Sequence, residues 1–542
     1  MRCLCVGLAR LRALGCVALV SGVLTPVLFA DSPPPAPKFI RFGSALAEDD
    51  SPVEPPFDQS PMIGYDRETV QRIIREELEA EKTRTQQQAA PGTVAAGKAS
   101  AVGSDREMKA RWENGFVAET NDKAFRIHIG GRLEFDNSWF TQDGNLLLGG
   151  SPTQEMLDGT LFRRARLRTD GRLWEYIDFA CEVNFANIQD VSNVENSTVQ
   201  VGSVGLTDFY VTFREVPYVG NIRMGHMQAP VSLERYSSSN AWYYMERSSM
   251  FDAFYNPNDY QNGIVAFDSY LDDCVTLAAS AAWINKSTVQ SFGFGADEGT
   301  YGFGGRATAL PIYNDEGRSL VHVGAGYFHQ ALVDDRFSIA SRPLLRAGAG
   351  GNDTPNLIFT GTYFTPNGVG IANLEAAWVQ GPFSLSSEWA VAQVSDVFEQ
   401  SDFTSPRGDA TYQAAYIEGG LFITPDDQRR YDKKTGTWTR TNPVRSAFGT
   451  HRENCQSGSG LGAIQLVTRY TYLDLVDGEP TLTPTSGGAQ AGRQHDVTLG
   501  VNWYLNSQTW FMVNYVATHI DSVVPGADGD INGVGGRLHL DF

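Results

Sequence analysis

Three arginines spaced two residues apart are the side chains whose pattern points most clearly to chemistry. They are Arg164, Arg166 and Arg168. In an extended strand every second residue shares one face, so the three guanidinium groups would form a row with a spacing of ~7 Å. A partly dehydrated anion could step along such a row. Alternatively, acids on neighbouring strands could pair with the arginines, which would then brace the sheet. These acids are Asp178, Glu182 and Asp208.

The elements that must position this row are strands with a two-residue period. Every second residue is apolar in residues 497–505, and residues 511–517 repeat the pattern after a short turn. Segments of ~10 residues that alternate, carry aromatic residues near their ends and follow one another through short turns are typical of membrane barrels. Residues 534–542 alternate in the same way and end on Phe542. The pattern therefore favours a transmembrane barrel over a soluble sandwich.

Seventeen segments qualify as strands, and one of them is assigned to a loop. Residues 356–364 are framed by Pro355 and Pro366, and closed bacterial barrels favour even strand numbers. The predicted fold is thus all-β: a 16-stranded antiparallel transmembrane β-barrel, preceded by a short amino-terminal helix and linkers. Sixteen strands leave an aqueous channel rather than a packed core.

The polar face of each strand must line the lumen, because an arginine facing lipid costs about 2–4 kcal/mol near the bilayer midplane. The same parity predicts further inward bases, namely Arg126, Arg132, Arg214, Arg223, Arg306, Arg469 and Arg537. It also predicts inward acids, namely Glu134, Glu375, Glu388 and Asp541. We therefore expect a mixed lumen with a modest excess of arginine, a residue whose planar fork suits phosphate and carboxylate.

The amino-terminal quarter of the chain divides into four segments before the barrel. Residues 1–30 combine early arginines with an apolar run and predict a cleaved signal peptide. Residues 31–65 are predicted as a Pro/Asp-rich linker. Residues 66–90 are predicted as a short helix that could form a coiled coil, contact the cell wall or remain a single solvated helix. Residues 91–115 are predicted as a second linker. The barrel domain is expected over residues 116–542.

Other kinds of site lack the residues they need. The sequence Lys434-Thr435-Gly436 has no Ser-x-x-Lys partner, and the glycines of residues 302–305 lack the Lys-Ser/Thr of a phosphate-binding loop. The eight histidines show no metal-ligand spacing. A net charge of −20 opposes nucleic-acid binding. We therefore predict no catalytic group, no metal, no cofactor and no nucleic-acid partner.

The barrel resembles the phosphate-selective porin O and porin P family of bacterial outer-membrane porins from about residue 125 to residue 542. The resemblance rests on segments that occur in the family's order: residues 162–168, 221–225, 229–234, 381–385, 431–434, 469–475, 498–505 and 514–516. It implies a homotrimeric anion porin in the outer membrane of a Gram-negative-type envelope, in contact with outer-membrane lipid. The helix before Pro91 lies outside the resemblance.

The resemblance also implies a constriction. Residues 229–261 look like the loop that folds into the channel, with Arg235, Arg247 and Tyr243 as candidate constriction residues. The chain departs from the family pattern in its small number of lysines. The lysines beyond residue 110 are only Lys123, Lys286, Lys433 and Lys434, and the stretch after Gly225 carries no lysine or arginine where family members usually have a basic residue. This departure argues against tight phosphate selectivity.

The sequence thus predicts a non-enzymatic porin for passive diffusion of small hydrophilic solutes, with a preference for anions such as phosphate through the arginine row. The alternative is a structural outer-membrane barrel, tethered to peptidoglycan by its amino-terminal helix.

Overall fold

The computed structural model describes residues 107–148, 154–186, 204–255, 260–283, 301–330, 332, 335–348, 354–399, 401–448, 460–477 and 491–542. The helix predicted over residues 66–90, like the signal peptide and the first linker, lies outside these described residues. No helix in the described part of the chain is long and apolar enough to cross a membrane.

Sixteen antiparallel strands form a closed barrel, as predicted. They are β1 (Arg126–Gln142), β2 (Gly159–Leu173), β3 (Ile177–Asn184), β4 (Gly205–Val216), β5 (Gly220–Gln228), β6 (Tyr260–Tyr270), β7 (Val275–Trp283), β8 (Tyr301–Asn314), β9 (Ser319–Gln330), β10 (Val369–Gln380), β11 (Phe383–Phe398), β12 (Pro406–Phe422), β13 (Ala463–Asp474), β14 (Gly492–Tyr504), β15 (Thr509–Ser522) and β16 (Gly529–Asp541). Each strand pairs with the next, and β16 pairs with β1 from Ile531↔Gln142 to Asp541↔Arg132. Pairing between the first and last strand leaves the barrel no open edge, as a membrane barrel requires.

The two faces of the barrel wall have the polarity of a membrane protein. Outward side chains such as Leu499, Trp503 and Phe511 are 40–50% exposed. Inward side chains of the neighbouring strands, such as Asp496 and Asn502, are polar and fully buried. A soluble sandwich would place these two sets on opposite sides. The alternation therefore reflects lipid outside and polar groups inside.

The connections at the two ends of the barrel differ in length. At one end, the turns between β2 and β3, β4 and β5, and β10 and β11 are residues 174–176, 217–219 and 381–382. The connection between β12 and β13, residues 423–462, is the exception at this end. The connections at the opposite end are mostly longer. The third and fifth of them are residues 229–259 and 331–368, and their described parts enter the lumen. We refer to these as the third loop, the fifth loop and, for residues 423–462, the inserted turn.

A hairpin precedes the barrel within the segment predicted as a linker. Strands Met108–Trp112 and Phe116–Thr120 pair with each other, and the second also pairs with β1 from Phe116↔Ile129 to Glu119↔Arg126. β1 extends past the end of β16, so its free edge accepts this hairpin. Residues 108–112 are therefore strand and not linker.

The predicted loop at residues 356–364 is a loop with two short paired segments. Ile358–Phe359 pairs with Ala340–Ser341, and Tyr363–Phe364 pairs with Arg336–Phe337. These pairings fold the fifth loop onto itself, and none of these segments completes a barrel strand.

Candidate functional site: the lumen wall and the loops that narrow it

The three arginines of the row share the lumen face of β2, and each has a carboxylate partner. Arg164 donates to Glu134, Arg166 donates from Nη1 to Glu182 Oε1 at 2.8 Å, and Arg168 donates from Nη1 to Asp208 Oδ2 at 2.8 Å. The arginine side chains are 5%, 13% and 29% exposed in that order. The row is thus present but neutralised, and it opens to solvent toward the short-turn end.

The third acid named as a partner for the row lies elsewhere. Asp178 accepts from Arg172 Nε at 2.8 Å and lies 3.5 Å from Arg214 Nε. Both arginines are on the lumen face near the short turns.

A β-bulge turns a fourth arginine of β2 toward the lumen. Glu134 lies opposite Arg164 and Phe135 lies opposite Phe162, so Arg163 is the extra residue. Strict alternation would have sent Arg163 into lipid, and a bulge re-aims such a side chain. Arg163 instead donates to Glu246 of the third loop from Nε at 2.5 Å and from Nη2 at 2.9 Å. The signal in the sequence was an arginine at an outward position.

Most of the other predicted lumen bases point inward and are paired. Arg537 donates to both Asp136 oxygens at 2.7 and 2.6 Å, and Arg306 donates to Glu375 at 2.9 Å. Three further predicted bases lie farther from their carboxylate partners than Arg537 and Arg306 do. Their partners are Asp170 for Arg126 (3.7 Å), Asp541 for Arg132 (3.1 Å) and Glu234 for Arg469 (3.4 Å). Arg223 differs, since its Nε donates to the hydroxyl of Thr212 at 3.0 Å.

The third loop lies inside the barrel and is anchored by a wall carboxylate. Its first helix, α1 (Leu233–Tyr236), begins against Glu388 of β11, which accepts from the backbone N–H groups of Leu233 at 3.0 Å and Glu234 at 2.7 Å. Orphan N–H groups at a helix start favour a negative charge there. Glu388 is thus an inward acid, as predicted, and it holds the loop.

The candidate constriction residues are buried within this loop. Arg235 is 0% exposed and lies 5.3 Å from the rings of both Tyr255 and Phe328. Arg247 lies over Trp242 and Phe251 at 4.2 and 3.9 Å. Tyr243 is 1% exposed and lies under Arg429 at 3.9 Å. The structure therefore places these three side chains in the packing of the loop. The less buried residues of the loop are Tyr236, Ser238, Ser239, Asn240 and Trp242.

Ion pairs tie the third loop to the fifth loop. Asp252 in α2 (Ser249–Phe254) accepts from Arg342 Nη2 at 3.2 Å and from Arg346 Nη2 at 2.9 Å. Burial raises the pKa of Asp252, but the two arginines outweigh burial and hold this pKa below its ordinary value. Burial likewise raises the pKa of Glu246, and Arg163 more than compensates, so that pKa is also lowered. Both loop carboxylates are therefore charged at neutral pH.

Glycines on the inner wall make room for the loops. A side-chain carbon added at Gly535 of β16 would lie 2.6 Å from Leu345 and 2.9 Å from the sulfur of Met245. One added at Gly420 of β12 would lie 2.7 Å from the ring of Tyr243. The loops thus fit into hollows that any larger residue would fill.

The inserted turn narrows the lumen from the short-turn end. Its hairpin, Arg430–Asp432 and Thr437–Thr439, places the carbonyls of Thr435 and Gly436 where Arg306 donates to them at 3.2 and 2.7 Å. The backbone N–H of Trp438 donates to Ser237 Oγ at 3.1 Å, so the turn also contacts the third loop. The residue pattern does not predict this hairpin, and only the length of the β12–β13 connection indicates an additional element there.

The loops leave one side of the lumen open. Inward residues of β13, β14, β15 and β16 are nearly all buried beneath them, whereas Arg166, Arg168, Asp208, Tyr210 and Arg223 stay partly exposed. Water therefore reaches the lumen along β2–β5. A closed barrel with a lipophilic exterior, a charged lumen and loops folded inward defines an outer-membrane porin.

Comparison with known proteins identifies the family. The model of the family "Phosphate-selective porin O and P" matches residues 132–542. The chain belongs to this family, as its motifs suggested. It is 26% identical to Porin O of Pseudomonas aeruginosa over 464 residues, covering 82% of the chain and 94% of that protein. It is also 25% identical over 449 residues to an uncharacterised protein of Caulobacter vibrioides, covering 80% and 76%.

Solved structures of outer-membrane channels are also similar. The channel DcaP of Acinetobacter baumannii matches with a TM-score of 0.46 and 12% identity, covering 78% of this chain and 99% of that one. An anion-selective porin from Comamonas acidovorans matches with a TM-score of 0.42 and 13% identity, covering 77% and 100%.

Proposed function

We propose that this outer-membrane porin passes small hydrophilic solutes by passive diffusion and prefers small anions such as phosphate. The observation that carries the proposal is the row Arg164, Arg166 and Arg168, which borders the open side of the lumen with increasing exposure. A guanidinium has five N–H donors, and a single ion pair occupies one or two of them. An anion can therefore bind the remaining donors while the carboxylate keeps its place.

The paired acids set the strength of this preference. Arg164 and Arg166 each share their charge with one carboxylate. Arg168 lies within 4.0 Å of three, those of Asp170, Glu182 and Asp208. The field in the lumen is therefore weaker than three free cations would produce. Charge on the pore lining is what biases a wide channel toward one sign of ion. We therefore propose a moderate preference for anions and not tight phosphate selectivity.

Removal of Arg166 tests this proposal. In planar bilayers the wild-type protein should give stepwise conductance and an anion-to-cation permeability ratio above one. Arg166→Ala removes the nearer of the two arginines beside Glu182, which keeps Arg168 at 3.7 Å and the hydroxyl of Thr207 at 2.7 Å. The ratio should fall roughly fivefold, since a unit charge 4 Å away in water is worth about 1 kcal/mol. Arg172→Ala, a change at an arginine nearer the short turns, is the matched control and should alter the ratio less.

An unchanged ratio in Arg166→Ala would refute the role of the row. A barrel that gives no conductance at all would instead favour a structural anchor tethered by residues 66–90.

We also propose that the protein is a homotrimer in outer-membrane lipid, as the resemblance to this porin family implies. Chemical cross-linking in native membranes tests it: a ladder that stops at three chains supports the trimer, and one that stops at one chain contradicts it.

A further inference from the structure

Arg223 differs from the other arginines on the lumen face. Among the inward-facing arginines of the described barrel strands, each of the others lies within 4.0 Å of a carboxylate oxygen. For Arg223 the described residues provide a hydroxyl and two aromatic rings instead. Arg223 therefore has the least compensated positive charge among these arginines: Asp208 acts on it electrostatically, but no carboxylate oxygen of the described residues lies within 4.0 Å.

Neutral groups fix the orientation of its guanidinium. Nε donates to Thr212 Oγ1 at 3.0 Å, and the guanidinium carbon lies 4.1 Å from the ring of Tyr210 and 5.0 Å from that of Phe267. Such cation–π contacts hold the plane of the group without neutralising it. Neither Nη1 nor Nη2 has a hydrogen-bond acceptor among the described residues, and neither is a buried atom. The free edge of the fork is thus open to solvent.

Arg223 lies on β5, three strands around the barrel wall from the arginine row on β2. Arg168 on β2 pairs with Asp208 on β4, and Tyr210, two residues further on β4, lies under Arg223 of β5. On this side of the lumen Arg168, Tyr210 and Arg223 are partly exposed, whereas smaller neighbours such as Thr212 are buried. An anion that leaves Arg168 therefore meets Arg223 next along the open side.

We propose that Arg223 is the anion-contacting subsite of the pore and that it takes a monocarboxylate. This inference rests on the proposed anion preference. The two free Nη groups match the two oxygens of a carboxylate in a bidentate pair, and the rings of Tyr210 and Phe267 offer an apolar surface to the organic part of the solute. Among the described residues, a phosphate with a second negative charge finds no second cation without a close carboxylate partner here and meets Asp208 instead. The geometry therefore favours one negative charge over two.

Block of chloride current by sodium benzoate tests the subsite in the full-length protein. Half-blocking concentrations at pH 7 would be compared for wild type, Arg223→Met, Arg223→Lys and the paired control Arg172→Met. Arg223→Met should raise the concentration about tenfold or more, because a charge-assisted bidentate contact is lost. Arg223→Lys keeps the positive charge but loses the two parallel N–H donors of the guanidinium. The variant should therefore keep the wild-type permeability ratio but no longer be blocked by benzoate. Arg172→Met should change the block less than about twofold.

The outcomes separate this inference from the proposed function. If the wild type prefers anions and Arg223→Met or Arg223→Lys blocks like wild type, the subsite is refuted and the porin proposal stands. If inorganic phosphate blocks the wild type more tightly than benzoate and Arg223→Met abolishes that block, the monocarboxylate assignment is refuted. A wild-type pore without anion preference refutes both proposals.

Discussion

Loss of the Glu246 carboxylate should release the third loop from the barrel wall. Glu246 is 6% exposed, accepts two hydrogen bonds from Arg163 at 2.5 and 2.9 Å, and lies 3.4 Å from Nη2 of Arg537. Glu246→Gln leaves the charge of Arg163 half-buried without a charged partner, whereas Arg537 keeps Asp136. Removing one partner of a buried ion pair costs about 3–5 kcal/mol. Arg163→Met should cost less, about 1.5–3 kcal/mol, because Glu246 keeps Arg537.

A double-mutant cycle measures this coupling directly. Urea unfolding in detergent would give the free energies of unfolding, and single-channel recordings would report the loop through increased conductance or current noise. The double variant should be more stable than Glu246→Gln alone, because no unpaired Arg163 remains. Glu119→Gln, which removes one of the two surface partners of Arg111, is the control and should cost at most about 1 kcal/mol. Strict additivity of the two changes, with wild-type conductance, would refute the idea that the Arg163–Glu246 pair holds the third loop against the wall.

Three further predictions follow from the inner wall, the outer wall and the loop carboxylates. Gly535→Val should cost about 1–3 kcal/mol through overpacking against Leu345 and Met245 and should alter conductance, whereas Gly536→Val, whose nearest atom is 3.9 Å away, should do neither. Leu499→Arg should lower stability in lipid by about 2–4 kcal/mol, measured by urea unfolding in vesicles; wild-type stability would contradict an outward position. Because the pKa of Asp252 is lowered, its contribution to stability is present above about pH 3.9 and is lost as the pH falls through its folded pKa. Asp252→Asn should therefore change the conductance at pH 7, and a variant with wild-type conductance would contradict the role of Asp252 in joining the two loops.

Period-two alternation was sufficient to predict the barrel. Lipid on one side and polar groups on the other impose the same parity on every strand, so the sixteen strands and the inward side of Arg166 or Arg537 could be derived from residue type alone. The exclusion of residues 356–364 as a strand also held, since the two prolines prevent a continuous hydrogen-bonded ladder there.

The local contacts of the lumen could not be predicted in the same way. Alternation predicts whether a side chain points inward or outward, but not which residue it contacts. It also assumes an unbroken strand, so the bulge that turns Arg163 inward was missed. The burial of Arg235 and Arg247 depends on how the third loop packs against the wall, which involves residues far apart in sequence. The inserted turn has no periodic signature, and only its length distinguished it from the other turns at that end of the barrel.

The zero-current potential of the wild-type pore in a tenfold KCl gradient tests the central claim most directly. We expect discrete conductance steps and a potential with the sign of chloride preference. A potential with the sign of potassium preference, or a barrel that carries no current, would contradict it.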